Sequence, residues 1–192
     1  MSTIMKLQSN SPPADETVLA REACTHTEAF GELYRRYVNN VYRYHMAHTG
    51  NIKDAEDLTS QTFMAALERI HTYRGSGSFI AWLMGIASKK CALFFRGLRP
   101  EVPLDAALHI PNPEPATDQA AFHRLEIESI SRTLKGLSPE RAEALILRFF
   151  GGLTNSEAGR VLGKSEAAVK MLVSRGLQDL RERTSLTLEV EQ

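Results

Sequence analysis

Five prolines fall between Pro100 and Pro115, and no other feature limits this chain of 192 residues so firmly. Proline lacks the backbone donor a helix needs and disfavours helix in the residue before it, so the stretch runs extended or irregular and the chain divides around it. On the N-terminal side, Val18, Phe30, Leu33, Tyr34, Tyr37, Val41 and Tyr44 recur mostly at threes and fours, the period of a helix with one buried face. No strand-length alternation competes. The fold expected is all-α: two small helical domains joined by an extended linker. Helices are expected over 15–48, 54–70 and 78–98, then over 118–135, from Ser138-Pro139-Glu140 to Gly151-Gly152, over 154–162 and over 165–183. The corresponding division is a disordered lead over 1–14, a first domain over 15–99, an acidic linker over 100–120, a second domain over 121–184 and a tail over 185–192.

Net charge is zero, yet charge is laid down in blocks. Residues 1–68 carry six basic and nine acidic side chains, whereas 69–99 carry six basic ones (Arg69, Arg74, Lys89, Lys90, Arg96, Arg99) and no acid. The linker reverses this, with Glu101, Asp105, Glu114 and Asp118 and no base. A basic block beside an acidic one suits a protein that meets phosphates on one surface and a basic partner on another.

Other classes find little support. No stretch approaches the ~18–20 consecutive apolar residues that span a bilayer, and the N-terminus lacks the layout of a secretory signal, so a cytoplasmic protein without membrane insertion is expected. Two cysteines, Cys24 and Cys91, make no disulfide framework; buried, inert, reduced thiols are expected rather than a redox switch. His45 and His48, one helical turn apart, could be imagined with Cys24 or His26 as metal ligands, but without a companion at ligand spacing they are expected on the surface or in packing. No Gly-rich phosphate loop, nucleophile elbow or HExxH occurs, so no catalytic residue, metal or cofactor is assigned.

Three motifs carry function. From Leu153 to Lys170 a short capped helix, a glycine-containing turn and a longer helix follow in order, the layout of a helix-turn-helix that reads duplex DNA. Gly159 allows close helix approach, Gly163 the left-handed turn, Ser165 a cap, and Val161, Leu162 and Val169 a small core. Lys164, Ser165, Glu166, Ala168, Lys170, Ser174 and Arg175 are the expected DNA-facing set, with Arg175, Arg181 and Arg183 better placed for phosphates. The second motif runs from Tyr73 to Arg96: a polar glycine loop, then a helix with interleaved rings and cations, as single-stranded DNA requires. Arg74, Ser76, Ser78, Phe79, Lys89, Lys90, Phe94 and Arg96 are its candidates, while Trp82, Leu83 and Ile86 are assigned to the core. The third is an acidic face, Asp54, Asp57, Gln61 and Glu68, confined to an arc of roughly 60° at about 100° per residue. Leu58 lies near that arc as an expected exposed anchor for a partner helix.

Together these motifs resemble a sigma factor of the extracytoplasmic-function group of the sigma-70 family. Asp54-Ala55-Glu56-Asp57-Leu58 with Gln61-Thr62-Phe63 is similar to the family's polymerase-binding helix. Gly77 to Leu83 with Ile86-Ala87 resembles its promoter-melting region, and Leu137-Ser138-Pro139-Glu140 with the helix-turn-helix resembles its second DNA-binding domain. The resemblance implies a sigma2-like domain that binds the clamp of the polymerase largest subunit through Asp54, Glu56, Asp57, Leu58, Gln61 and Phe63. It implies that the basic block holds the melted −10 element, that a sigma4-like domain reads the −35 element, and that the flap of the beta subunit and an anti-sigma factor are further partners. The acidic linker is expected to mimic nucleic acid in the polymerase cleft. The sequence departs from many members at Ser88-Lys89-Lys90, at Leu93-Phe94 and at Leu172. The competing reading is a stand-alone helix-turn-helix regulator binding duplex operator DNA, which leaves the acid-free basic block unexplained.

Overall fold

The computed structural model describes residues 13–97 and 129–190, with side chains over 16–97 and 129–183. The expected lead, the acidic linker with its four carboxylates, Arg99 and the start of the 118–135 helix lie outside the described residues. The described residues contain helices and no strand.

The first domain holds α1 (Pro13–Glu22), α2 (Thr27–Thr49), α3 (Ile52–Arg69) with a short 3-10 turn over Ile70–Thr72, and α4 (Phe79–Gly97). The helix expected to run unbroken over 15–48 is two. A turn over 23–26, closed by the His26 N–H bonding to Glu22 O at 2.8 Å, folds α1 back onto α2. There the Glu16 carboxylate accepts from the Tyr37 hydroxyl and from the Phe79 N–H, tying α1, α2 and α4 together. Gly50 ends α2 in the left-handed conformation (φ 68°), and Asn51 caps α3 by accepting the Asp54 N–H at 3.1 Å. Phe30, Leu33, Val41, Tyr44, Phe63, Phe79, Leu83 and Met84 fill the space between the helices.

The second domain holds a helical segment over 129–135 (α5), α6 (Pro139–Leu145), α7 (Asn155–Leu162) and α8 (Glu166–Val190). Pro139 opens α6 at a position where no donor is lost. The helix continues as a π-helical turn over Ile146–Phe150, in which the Gly151 N–H reaches back five residues to Ile146 O at 2.9 Å. The backbone of α8 extends to Val190, beyond the expected Arg183.

The sequence left the arrangement of the two domains open; the structure packs them together. Leu145, Ile146, Leu147 and Leu153 belong to the same buried cluster as Val41, Tyr44, Leu83 and Met84. Polar contacts cross the seam as well. Tyr44 donates its hydroxyl to Glu143 Oε1 at 2.7 Å, His48 Nε2 lies 3.0 Å from Glu143 Oε2, and Asn40 donates to Gly151 O at 3.1 Å.

Candidate nucleic-acid interface

The helix-turn-helix is built as its residue types require. Thr154 accepts the Glu157 N–H while Glu157 accepts the Thr154 N–H, a reciprocal cap that starts α7. Gly163 ends α7 in the left-handed region (φ 64°), and Ser165 Oγ accepts the Ala168 N–H at 3.2 Å to start α8. Val169 is fully buried, and Val161 and Leu162 pack against the core cluster to which it belongs. Ser165, Glu166, Lys170, Ser174 and Arg175 are exposed along one end of α8, and Ala168 is half-buried among them. Lys164 is turned away: its ammonium pairs with Glu140 at 2.8 Å. Among the outlying cations, Arg183 donates to Gly136 O at 2.6 Å and so braces α8 against α5.

In the first domain the loop before α4 is pinned by Tyr73, whose hydroxyl donates to Gly77 O at 2.6 Å. Tyr73, Phe79 and Trp82 form a ring cluster with centroids 5.3–5.7 Å apart. Phe79, a candidate for base stacking, is 0% exposed and sits in the core. The reason is its place at the first turn of α4, where Tyr37 and Tyr73 close over it; the aromatic stripe is here a packing device. Leu83 is buried and Trp82 and Ile86 are half-buried against the core, as assigned. Arg74, Ser76, Lys89 and Arg96 are exposed, and Ser78, Lys90 and Phe94 are partly so.

On α3, Glu56, Asp57, Gln61 and Glu68 are exposed and Asp54 is partly so, which leaves a carboxylate-rich face free. Two residues assigned with them are not on it. Leu58 is 2% exposed, and Phe63 is buried edge-on against Phe30 and Tyr34. The buried seam of α3 runs through Ala55, Leu58, Thr59, Thr62, Phe63 and Ala66, wider than the apolar residues alone suggest. Leu58 is therefore not the exposed anchor expected, and Phe63, a polymerase-binding candidate, is spent on packing. Of the cysteines, Cys91 is buried as expected but Cys24 is exposed, because it stands in the turn between α1 and α2.

The seam holds functional-looking side chains that sequence reasoning did not assign. Burial works against the charge of His48, but contacts with Cys91 and Glu143 outweigh it and raise its pKa from 6.5 to about 9. Burial likewise opposes ionisation of Glu143, yet His48, Tyr44 and Ser88 hold its pKa below the usual carboxylate value. His45 is the opposite case: burial and the neighbouring His48 lower its pKa to about 3, so it stays neutral, its Nε2 3.0 Å from the Thr62 hydroxyl. No cluster of His, Cys, Asp and Glu among the described residues could hold a metal ion. Glu157 accepts from the Ser78 hydroxyl, and Arg160 donates to Ser76 O at 3.5 Å, so α7 lies over the loop expected to hold a DNA strand. These partners are 79 and 84 residues apart, and nothing in local sequence marks them.

Family models for sigma-70 region 2 and sigma-70 region 4 match residues 33–100 and 127–180. An ECF RNA polymerase sigma factor, BldN of Streptomyces coelicolor, is 36% identical over 85% of this chain and 63% of its own length. SigM of Bacillus subtilis, named likewise, is 32% identical over 78% of this chain and 91% of its own length. The chain thus spans just under two thirds of the first of these relatives. The solved structure of CnrH, in complex with the cytosolic domain of CnrY, shares the fold with a TM-score of 0.68 at 24% identity, covering 93% of this chain and 99% of that one. CnrH is a sigma factor of Cupriavidus metallidurans. With both region models in order, and SigM at this identity over nearly its full length, the chain belongs to the extracytoplasmic-function sigma factors of the sigma-70 family.

Proposed function

We propose that this chain is the promoter-specificity subunit of a bacterial RNA polymerase, acting in the cytoplasm on a stress- or signal-responsive set of genes. The observation that carries the reading is the pairing, in a chain of this family, of a capped helix-turn-helix with a basic stretch over 69–99 of the other domain that contains no acidic residue. Duplex and melted DNA present different chemistry, base edges in a groove against a flexible charged strand with open rings, and the chain carries one surface suited to each. Lys170, Ser165, Glu166, Ser174 and Arg175 meet the −35 duplex. Arg74, Ser76, Ser78, Lys89, Lys90, Phe94 and Arg96 meet the −10 strand. Glu56, Asp57 and Gln61, with Asp54, meet the polymerase clamp. The chemistry of RNA synthesis stays with the polymerase, so the chain supplies positioning and no catalytic group. Membership of this family, in which CnrH was solved bound to a second protein, supports an anti-sigma factor as a further partner.

Run-off transcription with core polymerase lacking its own specificity subunit tests this on a promoter library. Transcripts that need both the core and this chain support it. Tight, specific binding to duplex DNA by the chain alone, with no transcript and no association with core, would instead make it a stand-alone regulator.

A further inference from the structure

A half-open cleft of about 530 Å³ lies at the seam between the domains. Arg69, Arg74 and Lys89 line it from the first domain and Arg160 of α7 from the second, together with the rings of Tyr73 and Trp82. Among the described residues the charged groups of Arg69, Arg74 and Lys89 have no carboxylate partner. Glu157 of α7 is engaged by Ser78 and by its own helix cap, and its charge acts on Arg160. Arg160 lies over the loop: its guanidinium is 3.5 Å from Ser76 O and occupies the space that a Cβ at Gly77 would take. Packing the two domains together therefore sets Arg160, whose charge also acts on Glu157, beside three exposed cations of the first domain, a grouping that an anion would stabilise.

The volume falls in the range of small-molecule sites, and a wall of cations beside flat rings selects a ligand with several phosphates and an aromatic base. We propose that the cavity is a site for a free nucleoside polyphosphate, its phosphates among the four cations and its base against Tyr73 and Trp82. The bound anion holds α7 over the loop and excludes a DNA strand from Arg74 and Lys89. The faces of α3 and α8 stay exposed in this closed arrangement, and the contact of α7 falls on the strand-binding loop at Ser76 and Ser78. A nucleotide within a DNA strand shares the chemistry, and Arg160 separates the two sources. A strand lying on the first domain needs Arg74 and Lys89 alone, whereas the free nucleotide also needs the second domain.

Isothermal titration of the full chain at fixed ionic strength, with adenosine and guanosine triphosphates, inorganic triphosphate and a labelled single-stranded oligonucleotide, decides the matter. The expected result is saturable 1:1 nucleotide binding that Arg160→Glu weakens by about tenfold or more, with single-strand binding unchanged or tighter in the variant. Arg160→Gln, which removes the charge without reversing it, should show the same direction, and circular dichroism confirms that both variants remain folded. Absence of saturable nucleotide binding, or equal nucleotide affinity in Arg160→Glu, overturns the proposal. Equal affinity for inorganic triphosphate overturns the nucleoside class. Failure of single-strand binding with nucleotide binding intact would sink the strand-binding role of the loop and leave this site standing.

Discussion

A Cβ built at Gly159 would lie 2.6 Å from the backbone oxygen of Lys164, and backbone cannot swing aside as a side chain can. Gly159→Ala should therefore push α7 and α8 apart and lower stability by about 1–3 kcal/mol, read as a fall in thermal midpoint with a parallel loss of duplex binding. Thr154→Ala, which removes one half of the reciprocal cap but leaves the helix contact intact, should cost only about 1 kcal/mol by the same measurement. His45 argues in the domain of pH. Its pKa in the fold, about 3, lies below the ordinary 6.5, so its contribution to stability is complete above pH 6.5 and is lost as pH falls toward 3. His48 and Tyr44 of the same helix, Thr62 of α3 and Glu143 of α6 are the groups that face it. Urea unfolding at neutral pH and at pH about 5 should show a larger loss for the wild type than for His45→Gln, and an equal loss in both would discard this role.

Among the helices, α8 divides its labour along its length. Lys170 stands in the first turns, beside Ser165 and Glu166, whereas Arg175 is a turn and more further on. Substituting Lys170 by Ala should relax discrimination among −35 sequences, while Arg175→Ala should weaken binding to all of them and reduce the salt slope by about 1, measured as polymerase-dependent promoter binding across a salt series. The helix pair was readable in advance because its signals are local: a cap, a glycine where helices touch, a glycine in a left-handed turn. On α3 the reading failed for a physical reason. Thr59 and Thr62 look like surface residues, yet each is buried and returns its hydroxyl to a carbonyl four residues back, at 2.6 and 2.7 Å. With the threonines admitted to the core, Leu58 turns inward with them. The break between α1 and α2 was hidden for another reason, since Cys24-Thr25-His26 contains neither proline nor glycine.

Across the whole molecule, the division into two helical units was legible, and their mating was not. Hydrophobic period and proline placement are properties of a dozen residues, whereas Tyr44 and Glu143 meet across 99 positions and leave no trace in either neighbourhood. The half-buried pair His48 and Glu143 nonetheless gives the closed arrangement a definite dependence on pH. Around His48 stand Tyr44 and His45 from α2, Cys91 from α4 and Glu143 from α6, and Ser88 of α4 reaches Glu143. Because the pKa of His48 is raised, its contribution is complete below pH 6.5 and lost as pH climbs through about 9, where Glu143 would be left as a half-buried charge without its counterion. Small-angle scattering should show a larger radius of gyration at pH about 10 than at pH 7 while helix content holds, and Glu143→Gln should blunt that change.

The π-helical turn over Ile146–Phe150 has its own bearing on how the halves mate. Upstream of it, Glu143 grips the first domain; just past it, the Gly151 carbonyl is gripped by Asn40. Excising one residue from the turn would restore a regular ladder, yet rotate all that follows by about 100°. Such a shortened chain would still build each half, but the two hand-holds would point in different directions and could not both be taken.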